Sequence, residues 1–479
     1  MGPTSLRQTT VAAAAALVAS VVLVVAVATA PSAAPAARGR RPNIVILLTD
    51  DQSFDTLPSS PAAMPWLQSQ IEDRNGHWIW FPNAFIQTPL CCPSRATILS
   101  GRYSHHTHVR TNDDGHRFDE SNTLATWLHD AGYFTGLFGK YLNRYPFNRL
   151  PYVPPGWDRW MVKRNTSKAS TYYDFGFIDQ GVPMETSDSP TTYATDLFAN
   201  GAIDFLRTAP TDQPFFLYYA PSAPHPPWTP PDRHLGAFAH VPLAVPRSVG
   251  ERNVSDKPAW VQALPLPDAA DRRQLQSDRR RERETLMGAD DAIRRIVNAI
   301  AARGDLNDTV IFYLTDNGYS FGEHRIRGKR CPYEECIRTP FAVRVPDATA
   351  RTSDRLISNV DLAPTIADLA GVTPGWGVDG HSFAANLGPS GPGPLGPAAV
   401  LLEWAGDRDI PRWWGVRTHD VVYIEDADGT VELYDLTGVH GRPDPLELRN
   451  RAGEPAYRSM ERRLARTLDR LRSAPPTRR

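Results

Sequence analysis

The chain predicts an α/β fold: a large, mixed but mostly parallel sheet sandwiched by helices, then a small antiparallel subdomain and a terminal helix. Three observations carry this. Short continuous apolar runs recur along the chain, amphipathic helical stretches separate them, and beyond about residue 397 the pattern changes to successive strands joined by tight turns.

The apolar runs are Asn43 to Leu48, Tyr133 to Phe138, Pro214 to Ala220 and Thr309 to Leu314. Runs of this length without alternation suit strands buried on both faces, as in the centre of a parallel sheet. Helical spacing marks Thr123 to Ala131, Tyr193 to Arg207 and Thr285 to Arg303. Each apolar run leads into polar chemistry: Thr49-Asp50-Asp51, Gly139-Lys140, a Pro-rich loop with His225, and Thr315-Asp316-Asn317-Gly318. Ligands of such sheets gather beyond the carboxyl ends of the strands. Four segments therefore point at one edge.

Residues 146–190 and 221–267 are rich in Pro, Asp, Ser and aromatics without clear periodicity, and read as surface excursions of the kind that select substrates. The Gly/Pro-rich stretch Gly388 to Pro397 marks a linker. After it, Trp414 to Arg417, Val421 to Glu425 and Val431 to Leu436 read as antiparallel strands, with Asp428-Gly429 as a hairpin turn. Met460, Leu464, Leu468 and Leu471 then fall on one face of a final helix. Domain limits follow: 1–37 for an N-terminal targeting segment, 42–387 for a catalytic domain, 398–474 for a C-terminal α+β subdomain.

The 479 residues carry a formal net charge of −1, which gives no reason to expect a nucleic-acid partner. The run Arg279 to Glu284 alternates in sign and reads as a solvated helix face. Arg7 precedes an apolar Ala/Val-rich stretch from Val11 to Ala28, followed by small residues and Pro to about Ala37. That is the pattern of a secretory signal peptide, with an uncleaved membrane anchor as the alternative. The expected location is extracellular, or the outer face of the membrane.

Chemistry concentrates at Cys91-Cys92-Pro93-Ser94-Arg95, continuing as Ala96 to Arg102. Pro93 suits the first turn of a helix, where a missing N–H costs nothing, and a thiol at a helix start sits in positive potential. Of the four cysteines, Cys331 and Cys336 can close a small loop in an exported protein. A zinc site is the weaker alternative for these thiols, because no second Cys/His pair has suitable spacing.

Cys91-Cys92-Pro93-Ser94-Arg95, followed by Leu99-Ser100-Gly101-Arg102, resembles the signature of the type I sulfatases of the alkaline-phosphatase superfamily. The resemblance runs from Asn43 to about Ala474, taking in Val360 to Gly371 and the C-terminal strands. It implies an alkaline-phosphatase-like fold and a sulfuric ester hydrolase. Cys91 would be oxidised to formylglycine by a formylglycine-generating enzyme, and the hydrated aldehyde would be the nucleophile. The resemblance further implies that Arg95 holds the hydrate, that Lys140 and Lys329 bind the sulfate, and that His225 protonates the leaving oxygen. Arg325, Arg327 and Arg330 compete with Lys329 for its role.

Asp50, Asp51, Asp316 and Asn317 supply hard oxygen donors suited to Ca²⁺ or Mg²⁺. Together with Cys91 they match the family's metal positions, and the family favours Ca²⁺. One departure stands out. Many sulfatases place a His two residues after the first catalytic Lys, and here that position is Leu142. Asn143, His105, His106 or His108 are the candidates to take over its task. The forms Cys91-Cys92-Pro93-Ser94-Arg95 and Gly139-Lys140-Tyr141-Leu142-Asn143 are similar to the N-acetylglucosamine-6-sulfatase and heparan-sulfatase branch, which makes a sulfated sugar of glycosaminoglycan type the expected substrate. Two other functions fit the same residues: a phosphate or phosphonate monoester hydrolase on this scaffold, and a non-catalytic surface glycan-binding protein with Cys91 unmodified.

Overall fold

The computed structural model describes residues 41–164, 171–389 and 396–477. The expected targeting segment, 1–37, lies outside the described residues. Among those described, ten strands form one sheet: β1 (Asn43–Thr49), β2 (Trp78–Trp80), β3 (Phe134–Gly139), β4 (Arg159–Lys163), β5 (Gly176–Asp179), β6 (Val182–Glu185), β7 (Phe215–Ala220), β8 (Thr309–Thr315), β9 (Ala342–Arg344) and β10 (Arg351–Thr352). Their spatial order is β10-β2-β9-β8-β1-β7-β3-β4-β5-β6.

The four apolar runs of the sequence are the four central neighbours β8-β1-β7-β3, all parallel. Leu47 of β1 pairs with Tyr219 on one side and Tyr313 on the other, so the strand ends lie level. Antiparallel strands close the sheet on both flanks.

Central burial explains the unbroken hydrophobicity. Ile44, Ile46 and Leu48 pack on one side with α2 (Cys91–Ser100), α3 (Leu124–Asp130) and α6 (Leu362–Ala370). Val45 and Leu47 pack on the other with α1 (Pro65–Glu72), α4 (Ala194–Thr208) and α5 (Ala269–Ala302). A strand whose two faces are both covered has no position left for alternation.

Three expectations need correction. Residues 146–190 are more than a surface excursion, because β4, β5 and β6 arise there and extend the sheet. The helix expected from Thr285 begins at Ala269, capped by the Asp268 side chain on the N–H groups of Ala270 and Asp271. The run Arg279 to Glu284 is not a solvated face: Arg279, Glu282, Arg283 and Glu284 are buried. Arg279 and Arg283 both bond the Asp55 carboxylate at 2.7 and 2.9 Å, while Glu282 and Glu284 accept the N–H groups of Ser53 and Phe238. Paired charges of this kind tolerate burial that single ones do not.

A second sheet comprises β11 (Val400–Trp404), β12 (Trp413–Arg417), β13 (Val421–Asp426) and β14 (Val431–Asp435), all antiparallel. Sequence reading gave its last three strands and missed β11. One face, with Leu401, Val416, Tyr423 and Leu433, packs on Met460, Leu464 and Leu468 of α7 (Arg458–Ser473). The other, with Leu402, Trp413, Ile424 and Tyr434, packs on the loop closed by the Cys331–Cys336 disulfide. The small sheet thus supports the segment that carries Lys329.

Candidate active site

The carboxyl end of β1 delivers Asp50 and Asp51, both 1% exposed. Asp51 takes a positive φ of 60°, a conformation costly for a residue with a side chain and typical of functional turns. Its N–H donates to Asp316 Oδ1 at 3.2 Å, so the end of β8 fixes the turn after β1. Asn317 donates from Nδ2 to Asp51 Oδ1 at 2.8 Å.

Cys91 opens α2, as expected, with Leu90 preceding it in extended conformation. The thiol is fully buried, 3.4 Å from Asp50 Oδ1 and 3.7 Å from Asp51 Oδ1. Burial pushes it well above the ordinary thiol range, against the opposing pull of Lys140 and Lys329. Arg95, one turn on, donates from Nε to Asp316 Oδ2 and from Nη1 to the Lys140 carbonyl, each at 2.7 Å. Lys140 Nζ bonds Asp50 Oδ2 at 2.6 Å. Lys329 Nζ lies 2.6 Å from Asp51 Oδ1 and 2.7 Å from Cys91 Sγ.

His225 sits in the loop after β7. Its Nε2 is 3.5 Å from Asp51 Oδ2, and its Nδ1 is 2.6 Å from the Pro226 carbonyl. A carbonyl only accepts, so Nδ1 carries a proton and Nε2 is the atom that can gain or lose one. Tyr172 steadies the loop, donating to the His225 carbonyl at 2.6 Å.

All nine residues singled out in the sequence therefore belong to one contact network drawn from six separate segments. Its electrostatics are mutual. Burial alone would raise Asp50, but Lys140, His225, Arg95 and Lys329 together hold it well below the carboxylate range. Asp316 goes the other way, up to about 6, through burial and the charge of Asp50. Both lysines stay above their ordinary value although burial opposes it, held there chiefly by Asp50 for Lys140 and Asp51 for Lys329.

The fit of a metal can be tested on the donors. Asp50, Asp51, Cys91 and His225 each offer a ligand atom, and all four lie within 4.8 Å of one another. Asp316 is outside that set, with one oxygen on Arg95 and the other on the Asp51 N–H. Asn317 Oδ1 is buried and has no hydrogen-bond partner among the described residues. An orphaned amide oxygen beside two carboxylates is a site short of a hard cation, so the residues fit a Ca²⁺-class ion.

Leu142, where the resembling family has a His, is 3% exposed and packed in the main core. Of the proposed stand-ins, His105 and His106 are committed to Glu403 and Asp379, each at 2.9 Å, and His108 is exposed. Asn143 Oδ1 is buried without a partner. Lys163 was not expected near the site. It ends β4, donates to the Thr171 carbonyl at 3.3 Å, and is depressed to about 8 by burial and the charge of Lys140, with Asp50 opposing. A basic residue at a strand's carboxyl end was the available signal, hidden because that strand had been read as loop.

Residues 42–372 match the family model described as Sulfatase. The chain belongs to the sulfatase family. Residues 322–474 also match the model of the N-sulphoglucosamine sulphohydrolase C-terminal region. The chain is 35% identical over 349 residues to a human N-acetylglucosamine-6-sulfatase, covering 69% of this chain and 61% of that protein. It is 28% identical over 499 residues to an N-acetylglucosamine-6-O-sulfatase of Bacteroides thetaiotaomicron, covering 90% and 86%. A Drosophila melanogaster extracellular sulfatase homologue also matches, but the chain spans only 32% of its length. A solved structure described as in complex with its substrate, D-glucosamine-2-N,6-O-disulfate, superposes with a TM-score of 0.74 at 26% identity, covering 91% of this chain and 99% of that one. These matches agree with the alkaline-phosphatase-like fold expected from the motif.

Proposed function

We propose that this protein is a sulfuric ester hydrolase acting on sulfated sugars, with 6-sulfated glucosamine units as the substrate class. The observation that carries this is the Cys91 thiol, ringed by Asp50, Asp51 and Lys329 within 3.7 Å at the sheet edge. The substrate class draws on the names of the relatives.

In this reading residues 42–387 form the catalytic domain and 398–474 its supporting subdomain, while 1–37 direct export or anchor the chain outside the cell. No described helix is long and apolar enough to cross a membrane. Formylglycine formed at Cys91 supplies the nucleophile, and a divalent ion, Ca²⁺ by family preference, supplies positive charge to the sulfate oxygens. Asp50, Asp51, Asn317 and the residue-91 side chain would hold the ion; Asp316, the remaining ligand position of the family, has its oxygens on Arg95 and the Asp51 N–H.

The rest follows from charge and position. Three carboxylates, Asp50, Asp51 and Asp316, face three fixed cations, Arg95, Lys140 and Lys329. That near-neutral pocket becomes net positive when it holds a divalent ion, complementary to the anion of a sulfate ester. Lys140 and Lys329 orient the ester oxygens and stabilise charge that spreads over them as the S–O bond breaks, in a dry site where such interactions are strong. Arg95 anchors residue 91 against the end of β8. His225, once protonated at Nε2, gives that proton to the ester oxygen of the sugar as the S–O bond breaks, so that the sugar leaves as its alcohol.

The test compares N-acetylglucosamine 6-sulfate with the matching 6-phosphate on one preparation, alongside peptide mass spectrometry across Cys91 to Arg95. A mass consistent with aldehyde at residue 91 and faster sulfate release support the proposal. Preference for the phosphate by orders of magnitude would favour a phosphate or phosphonate ester hydrolase. An intact thiol throughout the population, without turnover, would favour a glycan-binding protein.

A further inference from the structure

Away from Cys91, one buried cluster has donor atoms that nothing in the described chain satisfies. His324, Glu335 and Glu447 each offer a ligand atom, and these atoms lie within 4.8 Å of one another. His324 is fully buried and Glu447 is 1% exposed. His324 Nε2, Glu335 Oε2 and Glu447 Oε1 all lack a hydrogen-bond partner. A buried polar atom left without a partner is costly, so three in one cluster call for a ligand.

The remaining atoms of the cluster are already engaged, which orients the free ones. His324 Nδ1 lies 2.8 Å from Glu251 Oε2, so the ring donates there and Nε2 keeps its lone pair. A carboxylate that fixes one imidazole nitrogen while the other meets anionic donors is the usual surrounding of a metal-bound histidine. Glu447 Oε2 accepts the Glu334 N–H at 2.9 Å. The nearby cations are taken: Arg417 pairs with Glu334 at 2.7 Å, as does Arg338 at 3.4 Å, and Lys257 lies 3.2 Å from Asp256. Glu323, the other neighbouring carboxylate, is held by Ser320 Oγ and the Phe321 N–H. Among the described residues, half-buried Glu335 and buried Glu447 thus have no ion-pair partner, and Arg417, which favours charge on Glu447 from a distance, is committed to Glu334.

We propose that His324, Glu335 and Glu447 form a second metal site, separate from the Asp50 cluster, that takes a zinc-class divalent ion. One imidazole nitrogen with two carboxylate oxygens suits Zn²⁺, whereas Ca²⁺ takes oxygens alone. The site is structural. Glu335 lies within the loop that the Cys331–Cys336 disulfide closes, and the Cys336 carbonyl accepts the Gly318 N–H at 3.0 Å. Gly318 directly follows Asp316 and Asn317, and Lys329 precedes the disulfide loop. An ion joining His324, Glu335 and Glu447 would therefore brace both segments from below, tying them to the C-terminal region.

The experiment uses the full chain, stripped with a chelator and then titrated with Zn²⁺ in the presence of excess Ca²⁺. Bound metal is counted by mass spectrometry after gel filtration, and the Tm is followed in parallel. The expected result is one equivalent of Zn²⁺ that Ca²⁺ does not displace, with a raised Tm. E335Q and H324Q should lose that equivalent, and D51N should keep it. If the first two variants fail to fold, zinc-edge X-ray absorption on the wild type decides. Nitrogen and oxygen neighbours support the site, and sulfur neighbours overturn it. Failure of the wild type to retain Zn²⁺, retention unchanged in both E335Q and H324Q, or loss in D51N also overturns it. None of these outcomes depends on sulfate-ester turnover.

Discussion

Lys329 and Cys91 face each other across the site, with the ammonium 2.7 Å from the sulfur. The contact brings a fixed positive charge from a loop remote in sequence to the sulfur proposed as the precursor of the nucleophile. Arg325, Arg327 and Arg330 competed for this role on sequence, and geometry separates them. Arg325 is held by the carbonyls of Glu251, Arg252 and Leu264, Arg327 bonds Asp278, and Arg330 pairs with Asp407. K329A should therefore lower kcat by roughly 10²–10³ with a sugar sulfate, the size expected for removing one charge-stabilising donor. K329R should not restore it, because a planar guanidinium cannot replace a compact ammonium between Asp51 and residue 91. Steady-state kinetics on both variants check this.

Asn317 uses its Nδ2 on Asp51 and the Gly318 carbonyl and leaves Oδ1 unpartnered. Its amide orients Asp51 and, in the proposed site, would present an oxygen to the ion. N317A should weaken Ca²⁺ binding by about 10–100-fold while the fold persists, by analogy with the loss of groups that orient metal ligands. Calcium titration of chelator-treated protein, read by restored turnover and by isothermal calorimetry, measures the effect. Equal affinity in the two proteins would remove Asn317 from the metal site.

His225 should matter in proportion to how much the leaving group needs a proton. H225Q is expected to slow release from a sugar alcohol by about 10²–10⁴, the usual worth of a positioned acid. The loss should be much smaller with an aryl sulfate, whose phenolate departs unaided. A uniform loss across both substrates would assign His225 to binding or positioning.

Sequence legibility was uneven for physical reasons. The four central strands were readable because burial on both faces demands unbroken apolar runs, and the polar groups after them followed from the direction of a parallel sheet. The convergence of Asp50, Lys140, His225 and Asp316 was therefore visible before any coordinates. β4 to β6 were not, since these short strands near one flank of the sheet are only partly covered and carry Asp179, Pro183 and Glu185, which look like loop. The buried charges of α5 misled because a paired Arg is written like a solvated one, and Asp55, the partner of Arg279 and Arg283, lies more than two hundred residues away. The His324, Glu335 and Glu447 cluster was invisible for the same reason: Glu447 belongs to a different part of the chain.

Glu432 gives a pH test that leaves the reaction site alone. It is fully buried on β14, its Oε2 accepting the hydroxyls of Tyr333 and Tyr434, with the Asp426 carboxyl as its acidic neighbour. Burial, with the charge of Asp426 adding, pushes its carboxyl up to about 8. Between the ordinary Glu value of 4.5 and about 8, the folded chain keeps a proton that the unfolded chain has released. Stability must then fall as pH rises through that window. E432Q removes this dependence, so its Tm should gain on the wild type from pH 5 to pH 8 and run parallel above. The difference should reach on the order of a few kcal/mol. Thermal melts of both proteins across pH decide it, and parallel curves over the whole range would mean that Glu432 is ionised in the fold.

Gly139 shows how the sheet places a reactive side chain. It ends β3 at a φ of 121°, and a Cβ there would lie 2.0 Å from the Ala220 carbonyl oxygen of the neighbouring strand. The same carbonyl accepts the Lys140 N–H at 2.7 Å. Close backbone approach is thus what aims Lys140 at Asp50, and no side chain fits the approach. G139A must push β3 away from β7 or twist residue 139 out of the left-handed region, and either motion shifts the Lys140 ammonium. Destabilisation of about 2–4 kcal/mol is expected from strain at a position of this kind. A G139A protein that still folds should lose activity about as far as K140A does, and combining the two should cost little more than either, because both act through the position of one ammonium group. Additive losses would mean that Gly139 serves only the sheet.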